Sequence, residues 1–236
     1  MRSRRAFTLL ELLVVIGIMS LLVAILLPSL AKAKQLAKTA NCLCNMRNME
    51  VAHWMYMTAN DGRPIQAGLA HGGAHANEGV AWINTLQPYY GDRLMARCPS
   101  DSSPHWPGGA PVPPSADQYR RCSYGINEFT DVDLCPWGGP YRMIDAFPSP
   151  SATVHFVEMA EDGEYAGADH PHVDLWVGNI LAKASSQLQI NQHGGETRTW
   201  TARANYGFLD GHAETRGFEE VFKSRSANRF DPAVAR

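Results

Sequence analysis

The amino terminus of this chain places a charged residue inside an apolar run that is long enough to cross a membrane. Residues 7–27 are almost wholly apolar, and Glu11 lies near the start of the run. A charged side chain at the centre of a membrane helix costs about 2.5–3.5 kcal/mol on insertion scales. A helix that served only as an anchor would not need this residue. We therefore expect a partner group that neutralises Glu11, and the nature of that partner constrains the function.

The charges that flank the apolar run predict its orientation. As a helix, about 20 apolar residues cross the hydrocarbon layer of a bilayer. Three of the 21 basic residues, Arg2, Arg4 and Arg5, precede Phe7, and basic residues stay on the cytoplasmic side. The pattern predicts a single-pass helix with its amino terminus in the cytoplasm and the rest of the chain outside.

Three interpretations of this segment are open. The first is a secretory signal peptide cleaved near Ala31-Lys32-Ala33, although the apolar run is longer than the usual stretch of about 7–15 residues. The second is a plain signal anchor, which leaves Glu11 unexplained. In the third, a peptidase cuts between Ala6 and Phe7. The new α-amino group, cationic near neutral pH, then pairs with Glu11 of a neighbouring subunit, so that both charges can be buried.

The third interpretation is carried by a family resemblance. The run Ala-Phe-Thr-Leu-Leu-Glu-Leu-Leu-Val-Val-Ile, followed by Leu-Leu-Pro-Ser-Leu, resembles the class III prepilin signal of type IV pilins and type II secretion pseudopilins. The resemblance implies that a prepilin peptidase cleaves after Ala6 and methylates the amine of Phe7. It also implies that Glu11, the fifth mature residue, directs fibre assembly. Ala6 stands where the family usually has glycine, and both residues are small.

The same resemblance implies a structural subunit of a type IV pilus-type or type II secretion-type filament, not an enzyme, and no required cofactor. Its partners would be other pilin or pseudopilin subunits, the prepilin peptidase and methyltransferase, an assembly platform in the inner membrane, and membrane lipid. The subunit would be stored in the inner membrane with its head in the periplasm and would then enter a periplasmic or cell-surface filament. A formal net charge of −2, without a basic patch interleaved with aromatic residues, gives no footprint for nucleic acid.

The helix is predicted to continue beyond the membrane. Residues 31–60 contain neither Gly nor Pro, so we expect a helix of about 50 residues with a kink at Pro28, which the family resemblance also makes part of the assembly segment. Asn60-Asp61-Gly62-Arg63-Pro64 should end it. The apolar side chains of the second half fall near one helical stripe, with Arg47 an exception: Leu36, Ala40, Leu43, Val51, Trp54 and Met55.

Beyond the helix, short apolar runs and frequent Gly and Pro predict strands and long loops. Residues 99–118 read as a surface loop, and Asp210-Gly211 between alternating flanks predicts a hairpin. We expect an α+β fold in which the long helix packs on a small antiparallel β-sheet head with long loops. The predicted strands are Thr153–Val157, Leu175–Ile180 and Asn205–Leu209. The predicted segments are a leader at 1–6, a transmembrane and assembly helix at 7–30, its amphipathic continuation at 31–62, and a head at 63–236.

The head also carries a family resemblance, although a weaker one. Cys98-Pro99-Ser100-Asp101 and Ser123-Tyr124-Gly125-Ile126-Asn127, together with His193-Gly194-Gly195 before Asp210-Gly211, are similar to heads of pseudopilin-like proteins numerous in planctomycete-type bacteria. Those heads end in a His…Asp-Gly signature. The spacing from His193 to Asp210 is longer here than is usual in them.

One motif supports a rival function. His170-Pro171-His172-Val173-Asp174 resembles part of the zinc site of metallo-β-lactamase-type hydrolases, and imidazole with carboxylate suits zinc. The alternative to a filament subunit is therefore a signal-anchored or secreted periplasmic metallohydrolase that uses His170, His172 and Asp174. The last histidine of that motif is replaced by Leu175, and a turn with solvated histidines explains the same residues.

Two further sets of residues carry expectations about the exported part of the chain. Glu158, Glu161 and Asp162 belong to an acidic stretch that could supply oxygen ligands for a calcium ion in a head loop, and a solvated loop is the alternative. The chain has five cysteines and no CxxC pair, which argues against a zinc ribbon. In an oxidising compartment Cys98 and Cys122 are the first candidates for a disulfide, whereas neighbouring helical Cys42 and Cys44 should not bridge.

Overall fold

A single helix dominates the first part of the chain. The computed structural model describes residues 7–69, 77–90, 96–131, 133–134 and 141–236. Helix α1 runs from Leu9 to Ala59 over 51 residues and passes through Pro28 without interruption, which confirms the predicted length. In the described part of the chain it is the one helix that is long and apolar enough to cross a membrane. The chain divides into two compact units, Met1–Lys38 and Thr39–Arg236.

Helix α1 ends where the sequence predicts. The Gly62 N–H donates to the Met57 carbonyl at 2.8 Å, and the Asn60 N–H donates to the same oxygen at 3.1 Å. Asp61 and Gly62 have φ values of 55° and 78°, and glycine adopts this left-handed conformation at little cost. These bonds satisfy a carbonyl that the end of the helix would otherwise leave without a donor.

In the residues that the structure describes, the second unit is a head built from short helices and three two-stranded antiparallel sheets. The sheets pair β1 with β2, β3 with β4, and β5 with β6, and His155 N–H donates to the Gly207 carbonyl at 2.7 Å to link β2 with β3. The strands are Tyr124–Ile126, Phe156–Glu158, Arg203–Gly207, Ala213–Gly217, Phe222–Ser224 and Ala227–Asn228 for β1 to β6. The helices after α1 are Trp82–Thr85, Gln87–Tyr90, Ile180–Gln187 and Phe218–Val221 for α2 to α5. The expected class of a long helix with a small antiparallel head is confirmed.

The predicted hairpin is confirmed. Strands β3 and β4 pair in register from Arg203 with Gly217 to Gly207 with Ala213, and Asp210-Gly211 makes the turn between them. The Gly211 N–H donates to the Phe208 carbonyl at 2.9 Å, and Gly211 has a φ of 95°. A side chain at this position would be strained, which explains the glycine.

The face of α1 that the head buries is not the stripe read from the sequence. Of that stripe, Leu36, Val51, Trp54 and Met55 are exposed. The head buries a neighbouring face instead: Cys42, Met46, Met49, Glu50, Ala52, His53 and Met57. Of these side chains, Cys42, Met46, Met49 and Ala52 belong to one hydrophobic core together with Ile65, Trp82, Tyr124 and Phe156. Thioether, thiol and imidazole groups fill this interface. An apolar stripe read from Leu and Val does not include these residues, so it did not indicate the buried face.

One predicted strand is wrong. Residues 175–180 do not pair: Val173–Leu175 is a short 3₁₀ helix, and Ile180–Gln187 is helix α4, whose Asn179 side chain accepts from the Ala182 N–H. Trp176 lies between them in the second core, against Phe218, Phe222 and Phe230. A short apolar run packs as well in a buried turn as in a strand, so composition alone did not separate the two. Residues 99–118 carry no helix or strand, as expected.

Candidate functional site

Glu11 and Thr8 form a reciprocal cap at the amino-terminal end of helix α1. The Thr8 N–H and the Thr8 hydroxyl both donate to Oε2 of Glu11, at 2.8 and 2.9 Å. The Glu11 N–H donates back to Thr8 Oγ1 at 3.2 Å. This arrangement is a capping box, in which a Thr and a Glu three residues later satisfy each other's backbone N–H groups. The Thr-x-x-Glu spacing is a sequence pattern of this cap, but no cap was predicted from it.

The cap leaves Glu11 with capacity for another partner. Both hydrogen bonds from Thr8 end on Oε2, and Oε1 accepts no hydrogen bond from any residue that the structure describes. An ionised carboxylate has about four lone-pair positions, so Thr8 fills only part of them. The carboxylate is held in a fixed place by its own chain and still presents an oxygen outward.

The first part of α1 presents its side chains outward on all sides. Residues 7–37 are all exposed, including Phe7, whose exposed fraction is 69%, and Leu9, at 86%. A helix that is apolar all round is stable only inside a membrane or a protein interior. The surroundings of this segment must therefore be lipid or other protein chains. Pro28 lacks an N–H, so the carbonyl one turn earlier in the helix receives no hydrogen bond from it. The kink that the sequence predicts at Pro28 stays a prediction.

Cys98 and Cys122 do not form the predicted disulfide; both are free thiols in this structure. They lie in different surroundings. Cys98 Sγ accepts from the Ser100 N–H at 3.4 Å and lies 4.0 Å from His193 Nε2. Cys122 is buried, and burial raises the pKa of its thiol to about 12. Cys135 lies outside the described residues.

The three ligands of the rival metallohydrolase do not meet at one point. His170 Nδ1 lies 3.0 Å from Asp169 Oδ1. His172 and Asp174 gather instead around Glu128: His172 Nδ1 is 3.3 Å from Glu128 Oε2, and the Asp174 N–H donates to Glu128 Oε1 at 2.8 Å. The hydrogen bond to Glu128 raises the pKa of His172, and burial raises the pKa of Glu128. Two of the three motif residues, His172 and Asp174, thus share a group of possible ligands with Glu128 rather than with His170.

The three candidate calcium ligands also go to different partners. Glu161 accepts from the Ser102 N–H at 3.0 Å and from its hydroxyl at 2.7 Å. Asp162 Oδ1 lies 2.9 Å from Nε2 of His105, and this contact lowers the pKa of Asp162. Glu158 is buried and accepts from the Asn205 N–H at 2.9 Å. The structure therefore offers no shared point for these three carboxylates.

A buried polar group joins α1 to the head and gave no signal in the sequence. Glu50, His53 and His155 are all fully buried. His155 Nδ1 lies 2.9 Å from Glu50 Oε2, and the two imidazole rings stack with centroids 4.2 Å apart. Burial raises the pKa of Glu50 to about 7 and lowers those of His53 and His155 to about 4 and about 3. His53 and His155 are therefore neutral in the folded head at neutral pH.

Comparison with known proteins supports the amino-terminal site. Residues 1–27 match the model of the prokaryotic N-terminal methylation motif. Neither a curated protein nor a solved structure matches the chain. The motif points to structural pilin-type proteins rather than to enzymes, and the apolar helix fits a membrane-anchored protein. The chain therefore carries the prepilin-type N-terminal methylation motif over residues 1–27, and in this segment it is similar to prepilins and pseudopilins.

Proposed function

We propose that this chain is a structural subunit of a type IV pilus-type or type II secretion-type filament. A prepilin peptidase removes residues 1–6 and methylates the new amine of Phe7. The inner membrane stores the processed subunit with its head in the periplasm. An assembly platform then moves it into a filament with other pilin or pseudopilin subunits, where Phe7 and Glu11 set the register between neighbours.

The observation that carries this proposal is the Thr8–Glu11 cap at the amino-terminal end of an exposed apolar helix. Thr8 holds one carboxylate oxygen of Glu11 and leaves the other without a partner in the described chain. Cleavage after Ala6 would create a cation at Phe7, two positions before the first residue of α1. The amine of one subunit and the carboxylate of its neighbour then form a pair in a medium that tolerates neither charge alone.

The character of the membrane supports a specific pair of this kind. Lipid tails are as apolar as the side chains of α1, so apolar burial does not drive helices together in a bilayer. Association must depend on shape and on polar contacts. One ion pair at a fixed position therefore supplies the register that a smooth apolar surface lacks.

The exposed stripe beyond Lys38 fits the same role. Val51 and Met55 lie on the face of α1 that the head leaves open, with exposed fractions of 52% and 51%. Large apolar side chains that share an exposed face mark interaction surfaces. We assign this face to packing between subunits in the filament.

Two substitutions of Glu11 test the proposal in cells that assemble the filament. Glu11→Ala removes both the charge and the cap, whereas Glu11→Gln keeps an oxygen for Thr8 because glutamine also serves at this position of a capping box. Both variants should insert into membranes at the normal level, measured in the carbonate-washed membrane fraction. Both should be absent from filaments sheared from the cell surface or isolated from the periplasm.

The glutamine variant separates the charge from the cap. If Glu11→Gln assembles normally and Glu11→Ala does not, the cap and not the ion pair is what assembly requires. Normal filament levels of both variants would contradict the assembly role.

A further inference from the structure

Four side chains of metal-binding type converge in the head and are used neither by the proposed assembly site nor by the predicted hydrolase motif. Cys42, Cys98, Glu158 and His193, here called the thiol cluster, each direct one ligand atom to a common point. All four atoms lie within 4.8 Å of one another. They come from helix α1, the loop that begins at Cys98, the end of strand β2, and the loop after helix α4.

The distances within the thiol cluster are those of direct contacts. Glu158 Oε1 lies 2.9 Å from Cys42 Sγ and 2.9 Å from His193 Nε2. Cys98 Sγ lies 4.0 Å from the same imidazole nitrogen. One carboxylate oxygen thus lies in contact with both a thiol and an imidazole, and the second thiol lies within 4.8 Å of all three ligand atoms.

The thiol cluster is closed to solvent. Cys42, Cys98 and Glu158 are buried, with exposed fractions of 3% or less, and the His193 side chain has an exposed fraction of 0%. Nδ1 of His193 is buried without a hydrogen-bond partner in the described chain, so Nε2 is the nitrogen that faces the other three ligands. Four polar groups that meet in a dry interior need either shared protons or a cation to hold them together.

Groups outside the thiol cluster make hydrogen bonds to three of its four side chains. The Asn205 N–H donates to Oε2 of Glu158 at 2.9 Å and so directs Oε1 toward the cluster. The Ser100 N–H donates to Cys98 Sγ at 3.4 Å, and the Tyr124 hydroxyl lies 3.1 Å from Cys42 Sγ. Hydrogen bonds of this kind fix ligand side chains around metals and offset the charge of thiolates.

The geometry is close to that of a tetrahedral site. Zinc binds thiolate sulfur at about 2.3 Å and imidazole nitrogen or carboxylate oxygen at about 2.0–2.2 Å. A tetrahedron with those bonds separates its ligand atoms by about 3.3–3.8 Å. To reach those separations, the contacts at 2.9 Å need to open and the one at 4.0 Å needs to close, each by about half an ångström.

We propose that Cys42, Cys98, Glu158 and His193 bind one Zn²⁺ ion as a closed structural site. Two thiolates and an imidazole select a borderline-soft ion over Ca²⁺ or Mg²⁺. With all four positions filled by protein there is no open position for substrate, so the site is structural rather than catalytic. Binding releases to solvent the protons of both thiols and the proton shared by His193 Nε2 and Glu158 Oε1. It also joins helix α1 to three separate segments of the head.

The same two thiols have one alternative fate. In an oxidising compartment, Cys42 and Cys98 are close enough to be oxidised to a disulfide, with loss of two hydrogens to an oxidant. A disulfide would remove both thiolates and leave Glu158 and His193 as a pair. The zinc content and the mass of the same sample therefore distinguish the two states.

The test uses the full chain, extracted from membranes in detergent, loaded with Zn²⁺ and desalted. We expect one zinc per chain by elemental analysis and an intact mass with both thiols reduced. Cys42→Ser and Cys98→Ser should each reduce zinc affinity at least tenfold. The matched controls are Cys44→Ser, an exposed thiol two residues away on α1, and Cys122→Ser, a buried thiol outside the cluster; both should keep the metal.

A second measurement decides the case if the serine variants fail to fold. The unmodified chain, stripped of zinc and loaded with Co²⁺, should show thiolate-to-cobalt charge-transfer absorption and the intense visible bands of tetrahedral Co²⁺. Unchanged zinc content in the Cys42→Ser and Cys98→Ser variants would overturn the proposal. So would a pale octahedral cobalt spectrum of the unmodified chain, or a Cys42–Cys98 disulfide in metal-free protein taken directly from cells.

Discussion

Thr8 and Glu11 bind each other at the first turn of helix α1. Two donors of Thr8 reach one carboxylate oxygen, and the Glu11 N–H returns a bond to the Thr8 hydroxyl. The residue that the sequence marks as a costly charge thus also caps the first turn of the helix. Within one chain, Thr8 donates to one oxygen of the Glu11 carboxylate. In the proposed filament, the amine of a neighbouring subunit pairs with the same carboxylate through its other oxygen.

Removing the Thr8 hydroxyl should weaken assembly without abolishing it. Thr8→Val loses the two bonds made by Oγ1 and keeps the backbone bond to Oε2, and loss of a cap costs about 1 kcal/mol. We expect the sheared filament fraction to fall, but to stay above that of Glu11→Ala. Thr8→Ser keeps the hydroxyl and should assemble as the unmodified chain does. A Thr8→Ser defect as large as that of Thr8→Val would contradict this role of the cap.

The two faces of helix α1 should respond differently to substitution. Met49 is fully buried in the head, so Met49→Ala should lower the free energy of unfolding by about 2–5 kcal/mol. Val51 is exposed, so Val51→Ser should change stability by less than about 0.5 kcal/mol and still reduce filament yield. Chemical denaturation in detergent measures the first effect and quantification of sheared filaments the second. Normal filaments with Val51→Ser would remove this face from the proposed interface.

Two adjacent arginines provide a matched test of buried and exposed ion pairs. Arg120 donates to Asp101 Oδ2 at 2.8 Å, and both side chains are 1% exposed; its guanidinium also donates to the carbonyls of Ala160 and Ala166. Arg120→Ala leaves the buried Asp101 carboxylate without its cationic partner and should cost about 3–5 kcal/mol.

The control for that pair is the next residue. Arg121 pairs with Glu78 at 3.0 Å, and the two side chains are 38% and 65% exposed, so Arg121→Ala should cost at most about 1 kcal/mol. Urea unfolding curves of the two variants, compared at one pH and salt concentration, give both values. Equal costs would show that the Arg120–Asp101 pair does not hold its loop to the head.

The stability of the head should fall in mild acid. Burial holds the pKa of His53 at about 4 and that of His155 at about 3, below the value of 6.5 for an exposed histidine. The unfolded chain therefore binds more protons between those values, so this contribution is complete above about pH 6.5 and is lost as the pH falls toward 4 and then 3. Burial raises the pKa of Glu50 from 4.5 to about 7, so the folded chain holds a proton on Glu50 that the unfolded chain has lost. This effect on stability is opposite to that of the histidines and offsets about one of the two protons that they bind on unfolding.

The His155→Gln variant isolates this effect from other titrating groups. Each proton of difference between the folded and unfolded chain changes the free energy of unfolding by about 1.4 kcal/mol per pH unit. The variant should therefore lose about that much of the dependence of stability on pH between pH 4.5 and 6.5. Unfolding free energies of both proteins across this range give the comparison, and parallel curves would show that His155 does not titrate as proposed.

The parts of the fold that depend on local chemistry could be read from the sequence. The second half of helix α1 follows from residues 31–60, which contain neither Gly nor Pro. The end of the helix follows from Asn60 to Pro64, where the left-handed backbone at Gly62 is observed. The hairpin at Asp210-Gly211 follows from turn chemistry in the same way. Each of these signals lies within a few residues of the structure it predicts.

The parts that depend on distant contacts could not be read in this way. The face of α1 that faces the head is chosen by what the head presents, and it presents partners for Cys42, Met46 and Glu50. Cys42 and His193 are 151 positions apart in sequence, and nothing local shows that they share a cluster. His170 and Asp174 show the converse, because their close spacing suggests a joint site that the backbone does not form.

The intact mass of the mature protein, purified from the membranes of cells that make it, shows whether the chain is processed as a filament subunit. We expect a chain that begins at Phe7, lacks residues 1–6 and carries one added methyl group on its amine. A chain shortened by about 33 residues would instead identify a cleaved secretory signal peptide. A chain that has lost nothing beyond its first methionine would identify a plain anchor, and either result would contradict the proposal of a processed filament subunit.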